Sequence, residues 1–226
     1  MSSVWASAHL SRAWWHVVLV LRIVLGFAFV PSGLKKIIGE PFTDPGNTGI
    51  FHEFLHAFHG TGLLYHFVGI TQLLAAFLLM TQFFGALGAM IFLPICAGIL
   101  VLCWGSGAIP TAIVVTAMIL AVFFLLLWDF PLWSGVVRLE PGKRQEAGAS
   151  DLVRLCRVPP RGIEPWIWSI CGGAIFVLYV ASCWWAGEVY RPRGVDLQAP
   201  GFYILPFLVS LLGIAYLLER RRVPKT

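Results

Sequence analysis

Residues 17–36 read VVLVLRIVLGFAFVPSGLKK, a run apolar enough to cross a bilayer that nevertheless carries Arg22 deep inside it. Lipid offers no partner to backbone N–H and C=O groups, so such a run has to be helical. A charge near its middle costs about 3 kcal/mol on insertion scales and normally faces a partner side chain or a wet cavity. Arg22 therefore demands that other segments of the chain lie beside this one within the membrane.

The composition agrees. Hydrophobic residues make up 58% of the 226 and charged residues only 12%, more apolar surface than a soluble domain can hide. The formal net charge of +5 does not indicate nucleic acid as a partner, because the basic residues gather beside apolar runs rather than along one polar face. They read as topology signals and as contacts for anionic lipid. The five cysteines form no CxxC pair, so neither a disulfide framework nor a zinc ribbon is indicated. Arg12 ahead of an apolar run has the look of a signal sequence, but the run is too long and lacks an A-x-A-like cleavage site, which makes it a retained span.

Six stretches have the length and apolarity of a membrane helix: 13–34, 62–80, 84–102, 109–128, 166–185 and 202–218. The expected fold class is all-α and integral to a membrane, with a four-helix transmembrane bundle over residues 1–130, a basic loop over 131–165 and a two-span C-terminal appendix over 166–226. Asp151 to Val158 would form a short interfacial helix in the loop. With six spans, Arg12, the loop's Arg138, Lys143, Arg144, Arg154, Arg157 and Arg161, and the tail's Arg220, Arg221, Arg222 and Lys225 share one side. Only Lys35, Lys36, Arg191 and Arg193 fall on the other, so the positive-inside rule places both termini in the cytoplasm. Trp14, Trp15, Trp104, Trp128, Trp166, Trp168, Trp184 and Trp185 fall near span ends, where an aromatic belt belongs.

Arg22, Gly26, Phe29, Gly33 and Lys36 fall on one helical stripe, whose glycines would let a neighbouring helix approach closely. Counted from the cytoplasmic ends, Gln72 of the second span lies at the depth of Arg22, which predicts an Arg22–Gln72 contact. Pro31 removes a helical hydrogen bond and is expected to open the outer end of the span. His66, one turn into the second span, would face the same cavity. Arg22, Gln72, His66, Gly33 and Lys36 are the candidate ligand-binding residues, and Asp129 would pair with a nearby arginine or with solvent.

Between the first two spans, Thr48 is positioned to cap a helix running to about His59, so an interfacial helix is expected near 48–59. His52, His56 and His59 share one face of it, while Phe51, Phe54, Leu55 and Phe58 cover much of the other. His52, Glu53 and His56 also spell H-E-x-x-H, the spacing that puts two imidazoles on one zinc ion with a glutamate as general base. By spacing His59 is a candidate third ligand, and Glu40 and Asp44 are candidate ligands from the loop. The same histidines equally suit a polar interfacial face, with Glu53 forming a rim salt bridge to Lys35 or Lys36.

LRIVLGFAFVPSGLKKI resembles the first-span signature of DoxX-like membrane proteins, an Arg followed four residues on by Gly and later by Gly and Lys, here Arg22, Gly26, Gly33 and Lys36. YHFVGITQLLAAFLLMTQFFGALGAMIF is similar to that family's second and third spans, and the resemblance extends from about residue 17 to 128. It implies a four-helix bundle in a bacterial plasma (inner) membrane. In some relatives it implies a subunit of a quinone-linked oxidoreductase, with redox partner subunits beside it. Family members commonly carry Glu at the position of Gln72. Glutamine can hydrogen-bond but can neither neutralise a cation nor carry a proton, so an anionic ligand or a quinone carbonyl suits this chain better than proton coupling.

Three functions compete at this stage. The first is a DoxX-like membrane subunit with a quinone- or lipid-sized cavity bordered by Arg22, Gln72 and His66. The second is a scaffold in which the same residues only hold helices together. The third is a zinc peptidase using His52, Glu53 and His56.

Overall fold

The computed structural model describes residues 3–137, 154, 158–187, 189 and 200–222. All regular structure among the described residues is helical: α1 (Ser3–Leu10), α2 (Arg12–Ile37), α3 (Ile50–Gly60), α4 (Leu63–Met80), α5 (Gly85–Gly105), α6 (Ile109–Trp128), α7 (Phe130–Val137), α8 (Pro165–Ala186) and α9 (Pro200–Arg222). Five of them, α2, α4, α5, α6 and α8, are long and apolar enough to cross a membrane. The sixth expected span falls within α9. The 131–165 loop, with its expected helix near 151–158, lies largely outside the described residues.

Helix starts follow local chemistry. Proline stands in the first turn of α6 and at the first residue of α8, where its missing N–H has no helical partner to lose. α2 runs a turn further than expected, passing through Pro31 to Ile37. The turn from α4 to α5 is tight enough to hold Gln82 at φ +63°, a left-handed conformation that costs a non-glycine residue about 1–2 kcal/mol.

α2 packs most intimately on α4, α4 on α5, and α5 on α6. The glycine stripe makes the first contact that close. A Cβ on Gly33 would stand 3.0 Å from the carbonyl oxygen of Gly69, and one on Gly69 would stand 2.6 Å from the Cβ of Lys36. Small residues where backbones meet are how membrane helices gain packing without a hydrophobic driving force. All five residues of the predicted stripe are buried in α2.

α8 leans on the outside of the α2–α4 pair. Phe27 meets Tyr179 edge-on at 5.1 Å, Phe77 meets Phe176 at 5.7 Å, and Gly172 lies directly against the backbone carbonyl of Met80. α9 packs along α8. At the N-terminal end of the bundle α1 tucks under α6, with His9 stacked on Trp128 at 3.7 Å and the Trp15 indole donating to the His9 carbonyl at 2.8 Å. The tryptophans thus divide. Trp14, Trp104, Trp166, Trp184 and Trp185 are exposed as a belt requires, whereas Trp15, Trp128 and Trp168 are core.

Candidate functional site

Among the described residues, polar centres interrupt the apolar interior at both ends of the bundle. The first is built on Arg22. Its guanidinium donates to Asp129 Oδ2 at 2.6 Å and more loosely to Gln82 Oε1 at 3.3 Å, while Gln82 Nε2 donates to the Leu19 carbonyl at 3.1 Å. Arg22 is 8% exposed and Asp129 1%. A guanidinium and a carboxylate meeting in this way satisfy the demand for a partner that the buried charge makes. Gly85 leaves the space, since a Cβ there would stand 2.7 Å from the guanidinium carbon.

The expected Arg22–Gln72 contact is therefore corrected. Side chains on a helix lean toward its N-terminus, so a long arginine reaches about a turn beyond the depth of its own Cα. Arg22 arrives level with the end of α6 and the α4–α5 turn, not with Gln72. Asp129 does pair with an arginine, and that arginine is the intramembrane one. Gln82 was missed because it reads as a turn residue.

The second centre is a cavity of about 820 Å³ at the α3 end, walled by α2, α4, α5 and α6. Phe51, Phe54, Leu55 and Phe58 on the apolar face of α3 close it from above, and Phe29, Phe42 and Phe67 join them. Pro94 and Gly98 of α5 line the far wall, and a Cβ on Gly98 would meet nothing within 4 Å. Polar groups are few and clustered. Lys36 Nζ donates to Ser32 Oγ at 2.8 Å and to the Ser32 carbonyl at 3.3 Å, and Ser32 Oγ donates to Gln72 Oε1 at a long 3.4 Å. Lys36 also sits over the Phe42 ring at 4.7 Å, a cation–π contact that helps hold an ammonium in an apolar wall. Among the described residues that line the cavity, Lys36 alone carries a charge.

Of the five candidate ligand-binding residues, Lys36 and Gln72 border this cavity. Arg22 is committed to Asp129 at the other end. Gly33 is spent on the contact with α4, and His66 is exposed, its Nδ1 against the Gly62 carbonyl at 2.8 Å.

The histidine face of α3 has a structural use. His52 Nδ1 pairs with the Thr43 hydroxyl at 2.6 Å, His59 Nε2 donates to the Gly39 carbonyl at 3.0 Å, and the nearby Tyr65 hydroxyl donates to the Glu40 carbonyl at 2.7 Å. The two histidine bonds tie α3 to the loop before it and the tyrosine bond ties α4 to the same loop, which keeps the phenylalanine face turned to the cavity. Among the described residues no three His, Cys, Asp or Glu side chains converge as a metal site, and the structure does not bring His52, His56 and His59 together as one. Lys35 pairs with Glu40 at 2.9 Å, not with Glu53, which is exposed. Gly49, rather than Thr48, precedes α3, and no side chain caps the helix.

This arrangement, a glycine-packed helix pair carrying an N-terminal-side arginine and a terminal lysine, can be set against known proteins. Residues 17–105 match the DoxX family model. The match runs from within α2 to the end of α5, including Arg22, Gln72, Gln82 and Lys36, so the resemblance read from the first three spans holds. It stops short of α6, which leaves Asp129 and one cavity wall outside the matched segment. No curated protein and no solved structure matches the chain. The DoxX segment and the five apolar helices make this a polytopic membrane protein.

Proposed function

We propose that this protein binds a lipophilic molecule with a hydrogen-bond-accepting head group in the cavity beneath α3, and that a quinone is the class it takes. One observation carries the reading: about 820 Å³ of apolar, aromatic-walled space whose only charge, among the described residues, stands beside its few hydroxyl and amide groups. Binding cavities have this character, apolar walls for affinity and a few convergent polar groups for orientation. A donor fits a ring carbonyl: the Lys36 ammonium would hold the oxygen, Ser32, its hydroxyl hydrogen given to Gln72, steadies that ammonium, and the phenylalanines would flank the ring and its tail. A quinone bound there supplies two-electron redox chemistry; the chain's own residues bind, orient and exclude water. Electrons would then come from partner subunits, which makes the protein a membrane subunit of a redox assembly. In the same reading α9 also crosses the bacterial plasma membrane and both termini face the cytoplasm.

Organic extraction of the purified protein, followed by mass spectrometry, tests this. A quinone is expected at close to one per chain. Lys36→Met should lower its retention about tenfold or more, the worth of a hydrogen bond from a charged donor. Extracts holding only bulk phospholipid, unchanged by Lys36→Met, would sink the reading.

A further inference from the structure

A second, smaller pocket opens at the N-terminal end of the bundle, where the start of α2 and the end of α9 face each other across a gap. It has a volume of about 330 Å³ and is lined by Arg12, Ala13, His16, Tyr216, Glu219 and Arg220. Unlike the cavity beneath α3, its lining is dominated by groups that carry charge or donate hydrogen bonds.

The single acid in the lining is already neutralised. Glu219, 1% exposed, accepts at Oε1 from the Glu164 backbone N–H at 2.8 Å and the Trp168 indole at 3.2 Å. At Oε2 it meets His16 Nε2 at 2.5 Å. His16 Nδ1 lies 2.8 Å from the Arg12 carbonyl, so it donates there, and one further proton is shared between His16 Nε2 and the Glu219 carboxyl. The carboxylate and the imidazole thereby cancel, and they pin α9 to α2 and to the start of α8. What remains is the positive charge of Arg12 and Arg220. Arg12 donates through Nη2 to the Gly162 carbonyl at 3.0 Å, which fixes the guanidinium at the pocket wall while using one of its five N–H groups. Arg220 is exposed at the last turn of α9, and the Tyr216 ring sits edge-on to His16 at 5.6 Å.

We propose that this pocket binds a phosphate group, that of an anionic phospholipid or free phosphate. Two arginines offer planar forks that match phosphate oxygens, and their charge is not consumed by the pocket's carboxylate. The position suits a lipid source. The pocket lies at the start of α2, one of the helices long and apolar enough to cross a membrane, where head groups collect, and Val17 and Leu217, next in sequence to His16 and Tyr216 of its lining, are exposed. Basic pockets between membrane helices recognise acidic head groups in this manner.

Native mass spectrometry of the full chain, with phosphatidylglycerol and phosphatidylcholine as probes, supplies the lipid arm. Thermal melting with inorganic phosphate supplies the other. Phosphatidylglycerol is expected to bind at one per chain in preference to phosphatidylcholine, with affinity falling about thirtyfold in the Arg12→Gln/Arg220→Gln double variant. The Arg12→Lys/Arg220→Lys double variant should keep most of the binding. Arg220→Gln alone, which breaks no bond among the described residues, is expected to lose about fivefold and guards against a folding artefact. Arginine-dependent stabilisation by inorganic phosphate, without preference between the lipids, would assign the pocket to free phosphate. Binding of neither probe, or binding that ignores all three variants in protein that melts like the wild type, overturns the proposal.

Discussion

Asp129→Ala removes one partner of an ion pair that the protein cannot easily re-house. With Asp129 1% exposed and Arg22 8%, solvent does little to screen the pair, and the remaining Gln82 contact at 3.3 Å cannot replace a carboxylate. Leaving one member of a buried pair uncompensated costs about 3–5 kcal/mol, so the ratio of folded to unfolded protein should fall by roughly two to three and a half powers of ten. Replacing both partners by apolar side chains of similar size, Arg22→Met with Asp129→Leu, removes the charge as well as its partner, and should return stability to within about 1 kcal/mol of the wild type. Denaturant titration in mixed micelles, followed by tryptophan fluorescence, reads wild type, Arg22→Met, Asp129→Leu and the double variant as the four corners of a cycle, with Asp129→Ala beside them. A loss under about 1 kcal/mol for Asp129→Ala would mean that Arg22 escapes to the head groups when its partner is gone. A double variant as damaged as the sum of the singles would mean that the pair is not coupled. Either result refutes the reasoning.

Further outcomes follow from the same geometry. Gly172→Ala drives a Cβ into the Met80 carbonyl, where backbone meets backbone and neither can rotate away; overpacking of this kind should cost about 1–3 kcal/mol and loosen α8 from α4, measured by the same titration. Gln82→Ala keeps the left-handed strain but loses the bonds to Arg22 and Leu19, so the same assay should show a loss of about 1–3 kcal/mol.

The DoxX segment's helices were legible because apolar length and the requirement for internal hydrogen bonds leave a membrane chain few alternatives. Gly26 and Gly33 were readable as a packing face for the same reason, since a stripe without side chains in a lipid-facing run has little other use. The amphipathic α3 was visible from its phenylalanine spacing, although the sequence could not say that those rings roof a cavity. Arg22 shows the limit. Its need for a partner is written in the sequence, but the partner's identity depends on where the end of a long side chain lies, and Cα counting puts it a turn too deep. The H-E-x-x-H spacing shows another: helical periodicity puts His52, His56 and His59 on one face, while the loop of residues 38–47 supplies the partners of His52 and His59. Glu219 gave no signal in a basic tail, because its three partners come from α2, the start of α8 and the segment before it, which only the fold brings together.

Gly98→Phe puts the central claim to its most direct test. The position lines the cavity beneath α3 and a Cβ there would meet nothing within 4 Å, so a larger side chain can start from it into the cavity. Replacing a helical glycine should leave stability unchanged or raise it by about 0.5 kcal/mol. Calorimetric titration with a short-chain quinone is expected to give saturable binding to the wild type, weakened about tenfold or more in Gly98→Phe by steric exclusion. Equal binding to both proteins, with Gly98→Phe folded and stable, would contradict the account.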